Sequence, residues 1–433
     1  MTTEAPIASP DALHWELGGT SRIPFAVYTD QQRHQRELER FFYKGHWCYV
    51  GLEAEIPNAG DFKRSVVGER SVIMTRAADG AIHVVENVCA HRGMRFCRKR
   101  HGNQTEFVCP YHQWSYAPNG DLQGVPFRRG VRQDGKVNGG MPADFNPKDH
   151  ALTTLKVAVR GGVVFASFDH EVESLEDYLG PTILRYFDRL FNGRKLTILG
   201  YNRQRIPGNW KLMQENIKDP YHPGLLHTWF VTFGLWRADN KSELRMDAHH
   251  RHAAMVSTRG SMGQASGQAA QVTQVSSFKA AMELEDKRFL DIVPEPWWQL
   301  GEQTPTAVMT TLFPSVIFQQ QVNSVSTRHI QPDGHGAFDF VWTHFGFEDD
   351  TPEMTERRLR QANLFGPAGF VSADDGEVIE FSQDGFRQWG EGGSTLVELG
   401  GKTDDVGGPP TEHMVTETLI RSMYAYWRRA MGV

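Results

Sequence analysis

Hydrophobic positions change their rhythm several times along this chain. From Gln32 to Trp47 charged residues surround an apolar stripe of Leu38, Phe41 and Phe42, the spacing of an amphipathic helix. Short segments bounded by turn residues follow. Ser71–Arg76, then Asp79-Gly80, then Ala81–Val88 predicts two strands joined through a tight turn. This strand-only texture runs to about Phe168, with Leu155–Val159 and Gly161–Phe168 as its last two strands.

From Leu175 the period lengthens, and Leu175–Phe191 predicts a helix. Trp210–Gly234 concentrates polar and aromatic residues, while 262–277, rich in Gln, Ser, Ala and Gly, predicts a loop near a site entrance. Thr306–Ile330 and Gly336–Phe347 predict strands of an antiparallel sheet. Thr351 ahead of Pro352 and Glu353 marks a helix start, with proline where its missing N–H costs nothing. Gly390 to Pro410 predicts a second loop, and Val415, Leu419, Met423 and Trp427 predict a closing helix.

The expected fold class is α+β. A helical segment over 1–46 packs on the last domain, a small all-β domain spans 47–168, and a larger domain over 169–433 carries an antiparallel sheet flanked by helices. A chain of 433 residues supports more than one core. Hydrophobic residues at 39% and charged residues at 23% are an ordinary globular balance. A net charge of -6, with no basic block, excludes a nucleic-acid footprint. The first residues are acidic and proline-containing, without an apolar run, so no signal or transit peptide is expected. No stretch reaches the roughly 18 apolar residues of a membrane helix. The expectation is a soluble, cytoplasmic chain with no membrane partner.

Candidate chemistry begins with the four cysteines, too few for a disulfide framework in so long a chain. Cys89-Ala90-His91 and Cys109-Pro110-Tyr111-His112 give C-x-H, seventeen residues, then C-x-x-H. Two thiolates and two imidazoles in two close pairs suit a tetrahedral zinc or a two-iron cluster. Arg92 and Gly93, with aromatic residues around the second pair, favour the cluster. Two matching hairpin loops would let each pair give one ligand to each iron. Cys48 and Cys97 read as core cysteines.

A second constellation is Asp219, His222 and His227. Non-haem iron enzymes use two His and one carboxylate on one face of the metal. If Pro223 is the first helical residue, His222 sits at the preceding non-helical position and both imidazoles turn toward one point. The carboxylate comes from elsewhere, and Asp374 and Asp375, whose side chains diverge, are the candidates. Asp219 suits a hydrogen bond to a ligand imidazole.

At these residues the sequence resembles the large (alpha) subunits of Rieske non-haem iron ring-hydroxylating oxygenases, from about Arg36 through the Asp374–Asp375 segment. The resemblance implies a [2Fe-2S] Rieske cluster on Cys89, His91, Cys109 and His112, and a mononuclear Fe(II) on His222, His227 and Asp375. It makes Asp219 a bridging carboxylate between one subunit's cluster and its neighbour's iron in a head-to-tail trimer. Asn216 lies one position closer to Asp219 than in many relatives, which leaves its role unassigned. His46–Asn58, Gly120–Pro142, Asn202–Phe230 and Phe365–Val378 are most similar to the salicylate-hydroxylating branch of that family, with anthranilate and other aromatic-acid oxygenases as the nearest rivals.

The resemblance further implies O2 and an aromatic acid as substrates, a small beta subunit in an alpha3beta3 assembly, and electrons from a ferredoxin and an NAD(P)H-dependent ferredoxin reductase. The chain's lack of a G-x-G-x-x-G fingerprint agrees with an external electron source. Phe365, Phe370, Val371 and Met255 are candidate pocket residues. Gln321, which shares a strand face with Ile317 and Gln319, and Ser372 are the candidates to bind the substrate's carboxylate or hydroxyl. Arg328 reads first as half of a surface salt bridge, with pairing to a carboxylate as its other reading. Two other classes compete: a Rieske electron carrier, which would leave over half the chain unexplained, and a zinc-stabilised binding protein.

Overall fold

The computed structural model of the chain describes residues 15, 19–228, 241–258, 293–301, 304–390, 392–404 and 415–433. They form two compact units, one of residues 41–178 with 193–198, the other of residues 1–40, 179–192 and 199–433. The loop expected over 262–277 lies outside the described residues.

The first unit is built from short strands. Asp61–Val67, Arg70–Arg76, Ile82–Glu86 and His101–Asn103 form a four-stranded sheet. The hairpin read from the sequence is present, with Arg76 opposite Ile82 and Gly80 in the left-handed conformation the turn requires (φ 87°). Two three-stranded sheets and a hairpin of Val131–Gln133 with Lys136–Asn138 accompany it, one sheet joining Cys48–Leu52 to Val163–Ser167 and Lys156–Arg160, the other made of Phe107–Val108, Ser115–Tyr116 and Leu122–Gly124. Phe62, Ile73, Val85, Phe96, Phe107, Trp114 and Tyr116 form a core shared with Cys89, Cys97 and Cys109.

The second unit is organised on a seven-stranded sheet in the order Leu196–Ile206, Phe338–Phe347, Ser324–Pro332, Val316–Gln321, Ala307–Leu312, Ala253–Thr258, Lys241–Met246. The six strands from Phe338–Phe347 onward run antiparallel. Side chains directly opposite in such a sheet share a face. On one face Phe318 meets Phe187 and Phe191 edge-on and Phe345 stacks on Phe191, the two partners lying in the last turn of the helix Leu175–Leu190 and just beyond it. That helix is interrupted at Gly180, which precedes Pro181. The other face carries Gln319, Arg328 and His344, and the helices Trp210–Ile217 and Pro352–Phe365 pack against its strands.

Helix signals in the sequence act where the chemistry puts them. Thr351 Oγ accepts from Met354 N at 3.2 Å, with Pro352 in the first turn. Asn209 Oδ1 accepts from Lys211 N and starts Trp210–Ile217. Three expectations need correction. The N-terminal helix Gln31–Glu37 passes into a π turn over Leu38–Phe42 and ends there, short of Trp47. The Gly-rich stretch after 390 contains a strand, Ser394–Leu396, paired with Arg22–Pro24. The closing helix is Thr418–Met431, so Val415 lies ahead of it and is exposed, while Leu419, Met423 and Trp427 are buried. Among the described residues no helix is long and apolar enough to cross a membrane.

Three distant pieces of the second unit meet on one buried carboxylate. Glu37 accepts from Lys211 Nζ at 2.9 Å, Trp210 Nε1 at 3.1 Å and Trp427 Nε1 at 2.8 Å. Both ends of the ion pair are fully buried. Such a pair is weak evidence of net stabilisation, but removing one partner strands the other charge away from water. Glu37→Ala should therefore cost roughly 3 kcal/mol or more in thermal or denaturant unfolding. Glu356→Ala, which breaks the exposed Arg360–Glu356 pair, should change stability by less than about 0.5 kcal/mol.

Candidate metal centres

In the strand-rich unit, the two Cys/His loops have the same backbone. Cys89 N donates to Met94 O and Gly93 N to Cys89 O, both at 2.9 Å; Cys109 N donates to Trp114 O and Gln113 N to Cys109 O, both at 2.8 Å. The equivalent residues Gly93 and Gln113 are both left-handed, with φ of 70° and 57°. The loops bring the His91 and His112 rings to 4.6 Å between centroids. His91 stacks on Trp114 at 4.7 Å with only 6° between planes, and its Nδ1 is buried without a hydrogen-bond partner.

Cys89 and Cys109 are both buried, and Cys89 Sγ is 3.2 Å from Tyr116 Oη. Burial, and then the neighbouring Cys89, push the Cys109 thiol up. Cys97 is held differently: Asn87 brackets its backbone on both sides, and its Sγ points to the Lys99 carbonyl. Tyr111, one of the aromatic residues around the second pair, is itself about half exposed.

In the other unit, His222, His227 and Asp375 each offer a ligand atom within 4.8 Å of one another. Nε2 of His222 lies 3.5 Å and Nε2 of His227 lies 3.3 Å from Asp375 Oδ1. Pro223 is indeed the first residue of the short helix Pro223–Leu226. His222 itself has helical angles (φ -68°, ψ -33°), not the non-helical ones expected. His227, just beyond that helix at ψ 69°, makes the turn that brings the two rings together. Asp375 comes from the helix Phe370–Trp389. The next residue, Gly376, allows that helix to approach the sheet, since a Cβ there would stand 2.2 Å from Gln204 Nε2.

Each imidazole carries a second carboxylate on its other nitrogen. Asp219 Oδ2 lies 3.5 Å from His222 Nδ1, and Asp374 Oδ2 lies 3.1 Å from His227 Nδ1. Burial opposes a charged His222, yet Asp219 and Asp375 outweigh it and push its pKa up to about 9. Burial would raise Asp375, but His222 and His227 hold it well below the usual carboxylate range. Two imidazoles and one carboxylate on a common point, with acids beside the far nitrogens, match the donor set of a facial metal site, and the pairing with Asp375 and Asp219 leaves a proton on His222 that a bound metal would displace.

Two residues here were missed or left unassigned by sequence reasoning. Asn216 Nδ2 donates to Asp375 Oδ1 at 3.1 Å, so the shortened spacing does not remove it from the site. Asp374 was seen only as the alternative to Asp375, whereas the two face different partners.

The expected pocket residues are dispersed. Met255 and Gln321 lie on the sheet face that carries Gln319, and Gln319 Nε2 donates to Gln321 Oε1. Phe365 and Val371 pack together with Val322 and Leu364. The Ser372 hydroxyl donates to Gln204 Oε1 at 2.9 Å. Phe370 is 61% exposed and lines no interior slot. Arg328 is the clearest correction: it is 2% exposed, not at the surface, and lies over the Trp342 ring at 4.0 Å.

Comparison with known proteins agrees with this geometry. The ring hydroxylating alpha subunit (catalytic domain) family matches residues 188–433, and the Rieske [2Fe-2S] domain family matches residues 46–134. The chain is 71% identical to the salicylate 5-hydroxylase large oxygenase component of Ralstonia sp., over 98% of this chain and 97% of that protein. It is 39% identical to the anthranilate 1,2-dioxygenase large subunit of Burkholderia cepacia, over 97% and 96%. Among solved structures, naphthalene 1,2-dioxygenase from Rhodococcus sp. bound to indole shares the fold, with a TM-score of 0.74 at 24% identity, covering 95% of this chain and 94% of that one.

Asp374→Asn should lower affinity for the catalytic metal by about 10- to 100-fold, because it disturbs the imidazole and not the metal directly. Iron retention against a chelator would report this, while the absorption of the cluster stays unchanged.

Proposed function

The chain belongs to the ring-hydroxylating alpha subunits of the Rieske non-haem iron oxygenases, and on that premise we propose that it hydroxylates salicylate at C5 to give gentisate. The observation that carries the substrate assignment is the near-full-length similarity to a salicylate 5-hydroxylase. The runner-up, an anthranilate-type dioxygenase, rests on the weaker of the two likenesses.

The donor sets fit the two metal groups of this family. We assign Cys89 and Cys109 to one iron of the Rieske cluster and His91 and His112 to the other; the buried, unpartnered Nδ1 of His91 supports this. We assign His222, His227 and Asp375 to the mononuclear iron, which the convergence of their ligand atoms supports. When bound, these centres supply one-electron storage and dioxygen activation.

The remaining work belongs to the chain's own groups. Asp219 and Asp374 fix the orientation of the two imidazoles, and the Asn216 amide holds Asp375 Oδ1. Asp219 is partly open to solvent, 21% exposed, and the neighbouring Tyr221 is 44% exposed. This supports Asp219 as a bridge to a second subunit's cluster in a head-to-tail trimer. On this reading residues 47–168 form the cluster domain, 169–433 the catalytic domain, and 1–46 pack on the latter. A small beta subunit, a ferredoxin and an NAD(P)H-dependent reductase complete a cytoplasmic system. Met255, Gln321, Phe365 and Val371 stay our candidates for the substrate pocket.

Two experiments test this. Reconstituted with ferredoxin and reductase, the protein should convert salicylate to gentisate; a cis-diol or catechol product would favour a dioxygenase instead. In Asp219→Asn both metal sites should stay loaded while turnover falls by at least about 100-fold, the scale of a group whose role lies in electron delivery. Loss of mononuclear iron from that variant would make Asp219 a direct ligand and overturn the bridging role.

A further inference from the structure

Four buried polar atoms without a hydrogen-bond partner share one face of the seven-stranded sheet: Oε1 of Gln319, Nε of Arg328, Nε1 of Trp342 and Nδ1 of His344. The strand register groups them. Arg328 lies directly opposite Ile317 on one side and Trp342 on the other. In the next row of the same face, Ser326 lies opposite Gln319 and His344. Buried polar atoms are almost always paired, so four orphans on one face require an explanation, and a missing ligand is one.

Arg328 is the most demanding of the four. It lies over the Trp342 ring and is almost fully buried, yet its Nε has no hydrogen-bond partner. Burial pulls its pKa down to about 9, opposed by the charge of Asp375, so Arg328 lies within electrostatic reach of that carboxylate. A guanidinium held out of water with a donor left unpaired is strongly unfavourable. His344 supplies the complementary chemistry. Its Nε2 is 2.7 Å from Asn202 Oδ1, so Nε2 donates and Nδ1 is left as an acceptor. Burial and the neighbouring Arg328 hold its pKa down to about 4, keeping it neutral at working pH.

We propose that Arg328 is the carboxylate receptor of the substrate pocket, with Trp342 backing the guanidinium and the acceptors on Gln319 and His344 placed for a hydroxyl of the same ring. The planar fork of arginine suits a carboxylate. The inference rests on the reading of an aromatic acid as substrate and adds the residue that selects the acid group. It also shifts the polar contact from Gln321 and Ser372 toward the neighbouring row of the sheet. The competing role for Arg328 is to balance the charge of Asp375.

The test is equilibrium binding to the metal-loaded protein, by calorimetry without reductant, of salicylate and of its uncharged amide, salicylamide. In Arg328→Gln salicylate affinity should fall by at least about 30-fold, while salicylamide affinity changes by less than about threefold and iron content holds. Arg328→Lys keeps a charge but loses the fork, and should show a smaller fall confined to the acid. It carries the test if the glutamine variant does not fold. Unchanged salicylate binding in these variants overturns the proposal. So does an equal loss of acid and amide together with iron, which would assign Arg328 to Asp375. If the wild type ignores salicylate but binds anthranilate or another aromatic acid through Arg328, the substrate assignment fails and the receptor stands. A wild type that binds amides as tightly as acids overturns the receptor itself.

Discussion

The catalytic unit is assembled around a charge that never meets water. Glu37, at the end of the N-terminal helix, takes hydrogen bonds from the start of the helix Trp210–Ile217 and from Trp427 on the last helix. Such a carboxylate tolerates burial only while all its donors stay in place. The helix it fixes leads directly into the metal-binding segment: Asn216 is its penultimate residue, and Asp219, His222 and His227 follow within one short turn and helix. The position of the proposed ligands is thus set from behind, by segments near both ends of the chain.

From that base the site is closed by a helix more than 140 residues further on. Asp375 and Asp374 reach opposite sides of the histidines because successive helical residues point about 100° apart. One acid faces both Nε2 atoms while the other reaches the outer nitrogen of His227. The close approach that Gly376 permits toward Gln204 brings the helix near enough for this. A single glycine and a pair of acids therefore do together what a longer ligand motif would otherwise have to do.

Local chemistry was legible in the sequence wherever it is short in range. The C-x-H and C-x-x-H spacings, the Asp79-Gly80 turn, the Thr351 cap and the Pro223 start all depend on residues within a few positions of each other. Burial of charge was not legible. Glu37 stands in a run of charged residues, QQRHQRE, that reads as a solvated face. Arg328 stands in SVSTRHI, a largely polar run where an arginine reads as a surface residue. Their environments are set by elements that pack on them from far along the chain, and no periodicity encodes that. Asn216 was obscured for the same reason: its partner, Asp375, lies 159 positions away. The strand at Ser394–Leu396 was hidden by its glycine-rich setting, because its pairing partner is near the N-terminus.

The twin loops of the cluster-binding unit carry a consequence for its speed as a redox centre. Each loop is cross-tied by the same two backbone hydrogen bonds, and the His91 ring is braced flat against Trp114. A ligand shell held this way keeps one shape whether it surrounds the higher or the lower charge. Little nuclear rearrangement then accompanies each electron gained or lost, because the stabilising dipoles are already in position. With the cluster held by the proposed ligands, rigidity that looks like mere architecture in these two hairpins would lower the reorganisation energy of electron exchange.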